Sequence, residues 1–184
     1  NYTGALTIAG SGVANTLRGG SGVNTIIGGS GNDAITGGTN NDMLTGGQGN
    51  DTLTGGVGND TYNFARGDGA DVIAENDATV DNHDVLAFAS GVNYDQLWFK
   101  KSGNNLIVDV IGTTDRVTVS NWFLSTDRQV EAIQAGGQEL VNSSVINLVN
   151  AMAGMTAPAA GQTTLTTAQH TALDPVIAAN WHAA

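Results

Sequence analysis

Between residues 19 and 63 the chain repeats itself every nine residues without a slip. Paired glycines begin at Gly19, Gly28, Gly37, Gly46 and Gly55, opening the units GGSGVNTII, GGSGNDAIT, GGTNNDMLT, GGQGNDTLT and GGVGNDTYN. An acid or amide holds the sixth place of every unit and an apolar residue the eighth. A unit this short cannot bury its apolar face alone, so a fixed period of this kind predicts stacked repeats. A flexible glycine-rich linker is the plainer reading, but a linker has no reason to keep those two places. The phase also runs backwards in degraded form, through Asn15 and Leu17 and then Gly4 and Ile8.

Each unit reads as six turn-forming residues followed by a three-residue strand. Glycine supplies the positive φ and the close backbone approach of the turn, while Leu17, Ile26, Ile35, Leu44, Leu53 and Tyr62 point inward. Two units then make one coil of 18 residues, with strands stacked about 4.8 Å apart in two parallel sheets and turns along both edges. Because units alternate edges, Asp33 and Asp51 fall on one edge, and Asn24, Asp42 and Asp60 on the other. Carboxylates stacked one strand spacing apart repel. A hard divalent cation between them, completed by turn carbonyls, removes the repulsion, and an all-oxygen set of six or more ligands favours Ca²⁺ over Zn²⁺ or Mg²⁺. The competing reading makes these residues turn formers only.

Charge supports the cation. The 184 residues hold 17 Asp and Glu against 6 Lys and Arg, a net charge of −11. Ten of the acids lie between residues 19 and 87, where Arg66 is the only strong base. Such a surface disfavours nucleic acid and anionic membrane as partners. With no cysteine, disulfides, thiol catalysis and cysteine-based zinc sites are excluded. No apolar run reaches the roughly 18 residues of a membrane span. Asn1 rather than Met at the first position suggests a piece of something longer. No nucleophile elbow, P-loop or H-E-x-x-H motif occurs, and His83, His170 and His182 lack metal-ligand spacing, so no enzyme activity is expected of this segment. Arg66, Gly67 and Asp68 spell an integrin-type tripeptide, which the repeat phase explains better.

The units resemble the RTX (haemolysin-type calcium-binding) family, whose nonapeptide G-G-x-G-x-D-x-U-x, with U apolar, forms a calcium-loaded parallel β-roll. The resemblance implies one ion among Gly29, Gly31, Asp33, Gly46, Gln48 and Asp51, and a second among Gly38, Asn40, Asp42, Gly55, Val57 and Asp60. It implies a third among Gly20, Gly22, Asn24, Gly37, Thr39 and Asp42, weakened because Asn24 stands where the pattern has Asp. Asn40 stands for a glycine, a mild change because Asn tolerates the left-handed region. The register resumes after insertions in RGDGADVIA and TVDNHDVLA, which predicts Asp71 opposite Asp51 and Asp84 opposite Asp60. Those sites would recruit the carbonyls of Gly47 and Gly49, and of Gly56 and Gly58. Arg66, Asp68 and Asp81 are counted with the two irregular turns, and Glu75 and Asp77 are further candidates. The total expected is about four to five calcium ions.

After residue 87 the pattern changes to alternating strands, QLWFKK, NLIVDVI, RVTVSNWF and QVEAIQ, separated by turn residues. These resemble the flanking region that closes RTX rolls. Trp98, Phe99, Trp122 and Phe123 are the expected plug over the open roll end, with a sugar-binding aromatic platform as the competing reading. The tail predicts helices over SSVINLVNAMAGM and LTTAQHTAL, with Asp174 and Pro175 capping a last short one. The expected fold is therefore all-β: a parallel β-roll of nonapeptide repeats over residues 1–87, an antiparallel β cap over 88–141, and a short helical C-terminal tail over 142–184. The resemblance further implies a bacterial extracellular protein secreted by a type I machinery, with the tail as the export signal and calcium driving folding outside the cell. A calcium-dependent adhesion or carbohydrate-binding module, with a surface polysaccharide as partner, is the alternative.

Overall fold

A computed structural model describes residues 4–184, so the first three residues of the expected roll lie outside the described residues. The nine-residue units alternate between two sheets. One sheet stacks β1 (Leu6–Ala9), β3 (Asn24–Ser30), β5 (Met43–Gln48), β7 (Thr61–Phe64) and β9 (Val85–Phe88), and the other β2 (Thr16–Gly20), β4 (Ala34–Thr39), β6 (Thr52–Val57) and β8 (Ala70–Ile73). All of these pairings are parallel. Register places the eighth-position residues directly over one another, Ile8 on Ile26 on Leu44 on Tyr62 on Leu86 in one sheet and Leu17 on Ile35 on Leu53 on Ile73 in the other. From Ile26 and Ile35 onward these residues are buried, so the roll interior is two facing apolar ladders.

The strands run past the expected three residues because hydrogen bonding continues through the paired glycines. β3 spans 7 residues, and Gly29 pairs with Gly47 as Gly38 pairs with Gly56. Glycine is required here. Gly47 has φ 97°, and a Cβ on it would lie 2.0 Å from the Gly29 carbonyl oxygen. Asn40 takes φ 70°, the left-handed conformation that its glycine-like position demands.

The cap does not sit on the roll as a separate layer; it extends both sheets. β10 (Leu97–Ser102), β11 (Asn105–Val110) and β12 (Arg116–Val119) form an antiparallel meander, and β12 then pairs parallel with β8. β13 (Ala132–Ala135) pairs parallel with β9 and antiparallel with β14 (Gln138–Val141) through a tight turn at Gly136 and Gly137. Of the four aromatic residues expected to plug the roll, Trp98, Phe99 and Trp122 are buried, while Phe123 is half-buried under the ammonium of Lys101.

The tail packs onto this cap. α1 (Asn142–Ala153) buries Val145, Leu148, Val149 and Met152, a helical stripe that lies over β10 and β14. α2 (Thr167–Asn180) starts at a capping box formed by Thr166 and Gln169. It runs straight through Asp174 and Pro175, which therefore do not open a separate last helix. Leu173 before the proline and Ile177 after it are both buried, and this packing holds one continuous helix despite the lost backbone donor. The chain then returns as β15 (Trp181–Ala183), antiparallel to β14, with Trp181 packed against Tyr94 and Phe99. Truncating this anchor in Trp181→Ala is expected to cost about 3–5 kcal/mol in chemical denaturation with calcium present. A loss under about 1 kcal/mol would show that the tail adds little to the fold.

Candidate metal centre

Each turn delivers its acid to the roll edge at the start of a strand, and successive turns stack those acids. Asp33, Asp42, Asp51, Asp60, Asp71 and Asp84 are all buried. They form two hydrogen-bonded ladders in which one carboxylate oxygen of each rung is occupied by the backbone of the rung before it. The N–H of Asp33 donates to Asp51 Oδ1 at 2.7 Å, and that of Asp51 to Asp71 Oδ1 at 2.9 Å. On the other edge Asn24 N–H donates to Asp42 Oδ1, Asp42 N–H to Asp60 Oδ1 and Asp60 N–H to Asp84 Oδ1, each at 2.7 Å. Asp71 thus stands opposite Asp51 and Asp84 opposite Asp60, as the interrupted register predicts.

The second oxygen is where the chemistry lies. Oδ2 of Asp33, Asp42, Asp51, Asp60 and Asp71 is buried with no hydrogen-bond partner. An ionised oxygen in that state is among the costliest things a fold can contain. No base relieves it: the ion pairs among the described residues join Lys100 and Arg116 to Asp109, Arg128 to Asp127, and His170 to Asp174. Glycine at the first place of each unit keeps room for this oxygen. A Cβ on Gly46 would lie 2.2 Å from Asp51 Oδ2, and one on Gly55 2.1 Å from Asp60 Oδ2. Among the described residues no three Asp, Glu, His or Cys side chains gather round one point, so a cation here must take most of its ligands from backbone carbonyls. Paired carboxylates plus turn carbonyls form a hard oxygen set that fits Ca²⁺.

Without a cation, protons are the remaining remedy. Burial first, then the charges of neighbouring rungs, pushes the Asp60 and Asp71 carboxyls up to about 7, and burial with the Asp84 charge pushes Glu75 up to about 8. Asp42, Asp51, Asp68 and Asp84 are raised as well, chiefly by burial. Glu75 accepts a hydrogen bond from the buried Tyr62 hydroxyl, which in turn accepts from Gly55 N–H.

The other expected residues fall into place unevenly. Gln48 lies on the Asp33–Asp51 edge, where its carbonyl accepts from Gly31 N–H. Gly49 pairs with Gly69, and a Cβ on Gly58 would meet the Asn40 backbone. Gly20 pairs with Gly38, and Thr39 with Val57. Gly37 faces Asp42, and its Cβ would lie 2.4 Å from Oδ2. Asp68 caps its own turn by accepting from Ala65 N–H, Asp77 accepts from Gly58 N–H, and Asp81 is exposed with φ 62°. The Arg66 guanidinium is engaged with the carbonyls of Gly91 and Ile111. At the weakened rung the Asn24 amide donates to Gly22 O at 2.6 Å and to Asp42 Oδ1 at 2.9 Å, doing with N–H groups part of what a cation does elsewhere.

Sequence reasoning missed two features. Fifth-position asparagines form their own ladder outside the acids, Asn50 N–H to Asn32 Oδ1 and Asn59 N–H to Asn41 Oδ1, and the repeated Asn-Asp pair was its signal. Glu131, far along the chain, accepts from Asp84 N–H at 2.8 Å. Its only sequence sign is an acid placed directly before a strand, as in the repeats.

Residues 9–44 and 36–73 match the family model of the RTX calcium-binding nonapeptide repeat, and residues 105–134 match that of the haemolysin-type calcium binding protein related domain. Together the matches cover more than half of the chain. Over 62 residues the chain is 37% identical to the iron-regulated protein FrpA of Neisseria meningitidis serogroup C, which is 34% of this chain and 6% of that protein.

Two outcomes follow for the site. In chelator, the raised carboxyls make the folded state bind more protons than the unfolded state, whose values lie near 3.8 and 4.5. Their contribution to metal-free stability is fully present below those values and is lost as pH rises through about 7 to 8. Far-UV circular dichroism in chelator should therefore show more β-structure at pH 5 than at pH 8.5, and equal spectra would contradict the buried ladder. Second, Asn24→Asp should lower the calcium concentration at the folding midpoint while reducing metal-free stability, because it exchanges two donors for an unpaired charge.

Proposed function

Because the chain belongs to the RTX family of haemolysin-type calcium-binding repeat proteins, we propose that it is a calcium-dependent folding and export module of a secreted bacterial protein, non-enzymatic in itself. The observation that carries this reading is the row of buried, unpartnered carboxylate oxygens, Oδ2 of Asp33, Asp51 and Asp71 along one edge of the roll and of Asp42 and Asp60 along the other. A chain that buries them without a cation is destabilised at every rung, so folding is conditional on the ion. Where free Ca²⁺ lies far below the roughly 10⁻⁴ to 10⁻³ M dissociation constants of extracellular modules, the chain stays unfolded and open to export. Outside the cell, each site at about ten times its dissociation constant adds about 1.4 kcal/mol. Four or five sites add about 6 to 7 kcal/mol, the scale of a whole domain's stability.

In this role Asp33, Asp42, Asp51, Asp60, Asp71 and Asp84 hold the ions from the edges, and the glycines bring turn carbonyls within reach. When bound, calcium supplies charge neutralisation between rungs and no bond-making chemistry. The helical tail serves as the export signal while the chain is unfolded, and docks on the cap once it folds. A polysaccharide-binding role gains no support from the basic residues of the cap: Lys100 and Arg116 are engaged with Asp109, and Lys101 with the Phe123 ring. In a calcium titration followed by circular dichroism, β-structure should appear cooperatively between micromolar and millimolar ion. Full β-structure in excess chelator at neutral pH would overturn the reading.

A further inference from the structure

The fifth-position asparagines of the repeats accompany the aspartates and not the amides. Asn32, Asn41, Asn50 and Asn59 stand directly before Asp33, Asp42, Asp51 and Asp60, whereas Ala14 and Val23 stand before Asn15 and Asn24. Each of these asparagines reaches the next turn of its own edge. Asn32 Oδ1 accepts from Asn50 N–H at 2.9 Å, and Asn50 Oδ1 from Ala70 N–H at 3.0 Å. On the other edge Asn41 Oδ1 accepts from Asn59 N–H at 2.9 Å, and Asn59 Oδ1 from His83 N–H at 3.1 Å.

The amide ladder and the acid ladder run in opposite senses. Between acids, the N–H of the earlier turn donates to the side chain of the later one, as Asp33 does to Asp51; between asparagines, the later turn donates to the earlier. The gaps Asp33–Asp51, Asp51–Asp71, Asp42–Asp60 and Asp60–Asp84 are therefore each bracketed by two reciprocal bonds. At the gaps Asn15–Asp33 and Asn24–Asp42 only the acid half is present, because Ala14 and Val23 have no side-chain acceptor. Brackets and paired aspartates coincide even at the insertions, where the donors are Ala70 and His83. An asparagine that served its own turn would bond within it. These bonds instead cross between turns 18 to 24 residues apart.

We propose that Asn32, Asn41, Asn50 and Asn59 are positioning residues of the calcium sites, each fixing the separation of two turns so that the free Oδ2 and the turn carbonyls of that gap meet at one cation. The asparagines are exposed and neutral, so they hold two charged turns together without adding charge or occupying the free oxygen. A gap set in advance loses less freedom when the ion binds. This deepens the reading of the chain as a calcium-folded module and rests on it. It also ranks the gaps: those at Asn15 and Asn24, short of an acid and of a bracket, bind most weakly.

A double-mutant cycle in the full chain tests this, with Val23→Asn and Asn24→Asp made singly and together and the calcium midpoint of folding read by circular dichroism. Val23 is exposed and precedes Asn41 by 18 residues, the spacing of Asn32 and Asn50. Added to Asn24→Asp, Val23→Asn should lower the midpoint about threefold further, the scale of one hydrogen bond. In the parent background, where the gap has one carboxylate to position, it should leave the midpoint unchanged. An equal shift in both backgrounds makes the bond a contact of the fold alone, and no shift in either gives it no role; both overturn the proposal and leave the calcium-folding reading standing. Failure of the parent chain to bind any calcium overturns that reading as well. Should the Asn24→Asp chains not fold, the converse cycle decides. Asn41→Ala should raise the midpoint about threefold in the parent chain and leave it unmoved beside Asp42→Asn, and equal shifts or none remove the positioning role.

Discussion

Burying like charges in register is the constraint on which this architecture turns. From Asp33 to Asp71 each acid of the two edges lies in register with the next, gives one oxygen to a backbone N–H, and leaves the other without a partner. The apolar ladders inside the roll are regular but thin, one residue per nine-residue unit, and could not by themselves offset that electrostatic cost. The same side chains that set the register are thus the ones that oppose it until a cation arrives. Glycine is the enabling residue in a narrow sense, since a methyl group at Gly46 or Gly55 would fill the space that the free oxygen faces.

The cap follows from the same geometry. A parallel roll ends in open hydrogen-bonding edges, and an edge that continued straight would pair with any other strand. Here each sheet passes from parallel to antiparallel pairing without a break, through β12 on one side and β13 on the other, and the hairpins then terminate it. The boundary between repeats and cap is a change of sequence pattern more than a change of structure. The last strand, β15, shows the principle at its limit, because the final residues of the chain become part of the sheet that the repeats began.

The sequence made the roll legible because its signals are local and periodic. Period nine set the alternation of edges, the inward residues and the partners of Asp71 and Asp84, even across insertions. What it concealed depended on packing or on distance along the chain. Pro175 reads as a helix start, yet burial of Leu173 and Ile177 on either side of it carries one helix through. Glu131 joins the ladder only after the cap meander has brought the chain back beside β9, and no period spans that gap. The fifth-position asparagine ladder was periodic and in plain view; it was hidden because Asn-Asp reads equally well as turn chemistry.

Protons and calcium compete for the same oxygens, but they do not do the same work. A proton neutralises one carboxylate on one rung, and its benefit ends there, which is why the raised carboxyls of Asp60, Asp71 and Glu75 are a local remedy. A divalent cation between two rungs neutralises both and ties their turns together. Since Asp42 faces Asn24 on one side and Asp60 on the other, and Asp60 in turn faces Asp84, filling one gap fixes a carboxylate that the next gap also needs. Binding should therefore propagate along an edge like the nearest-neighbour coupling of other stacked repeats, with the difference that the coupling term is supplied by the ion rather than by apolar contact.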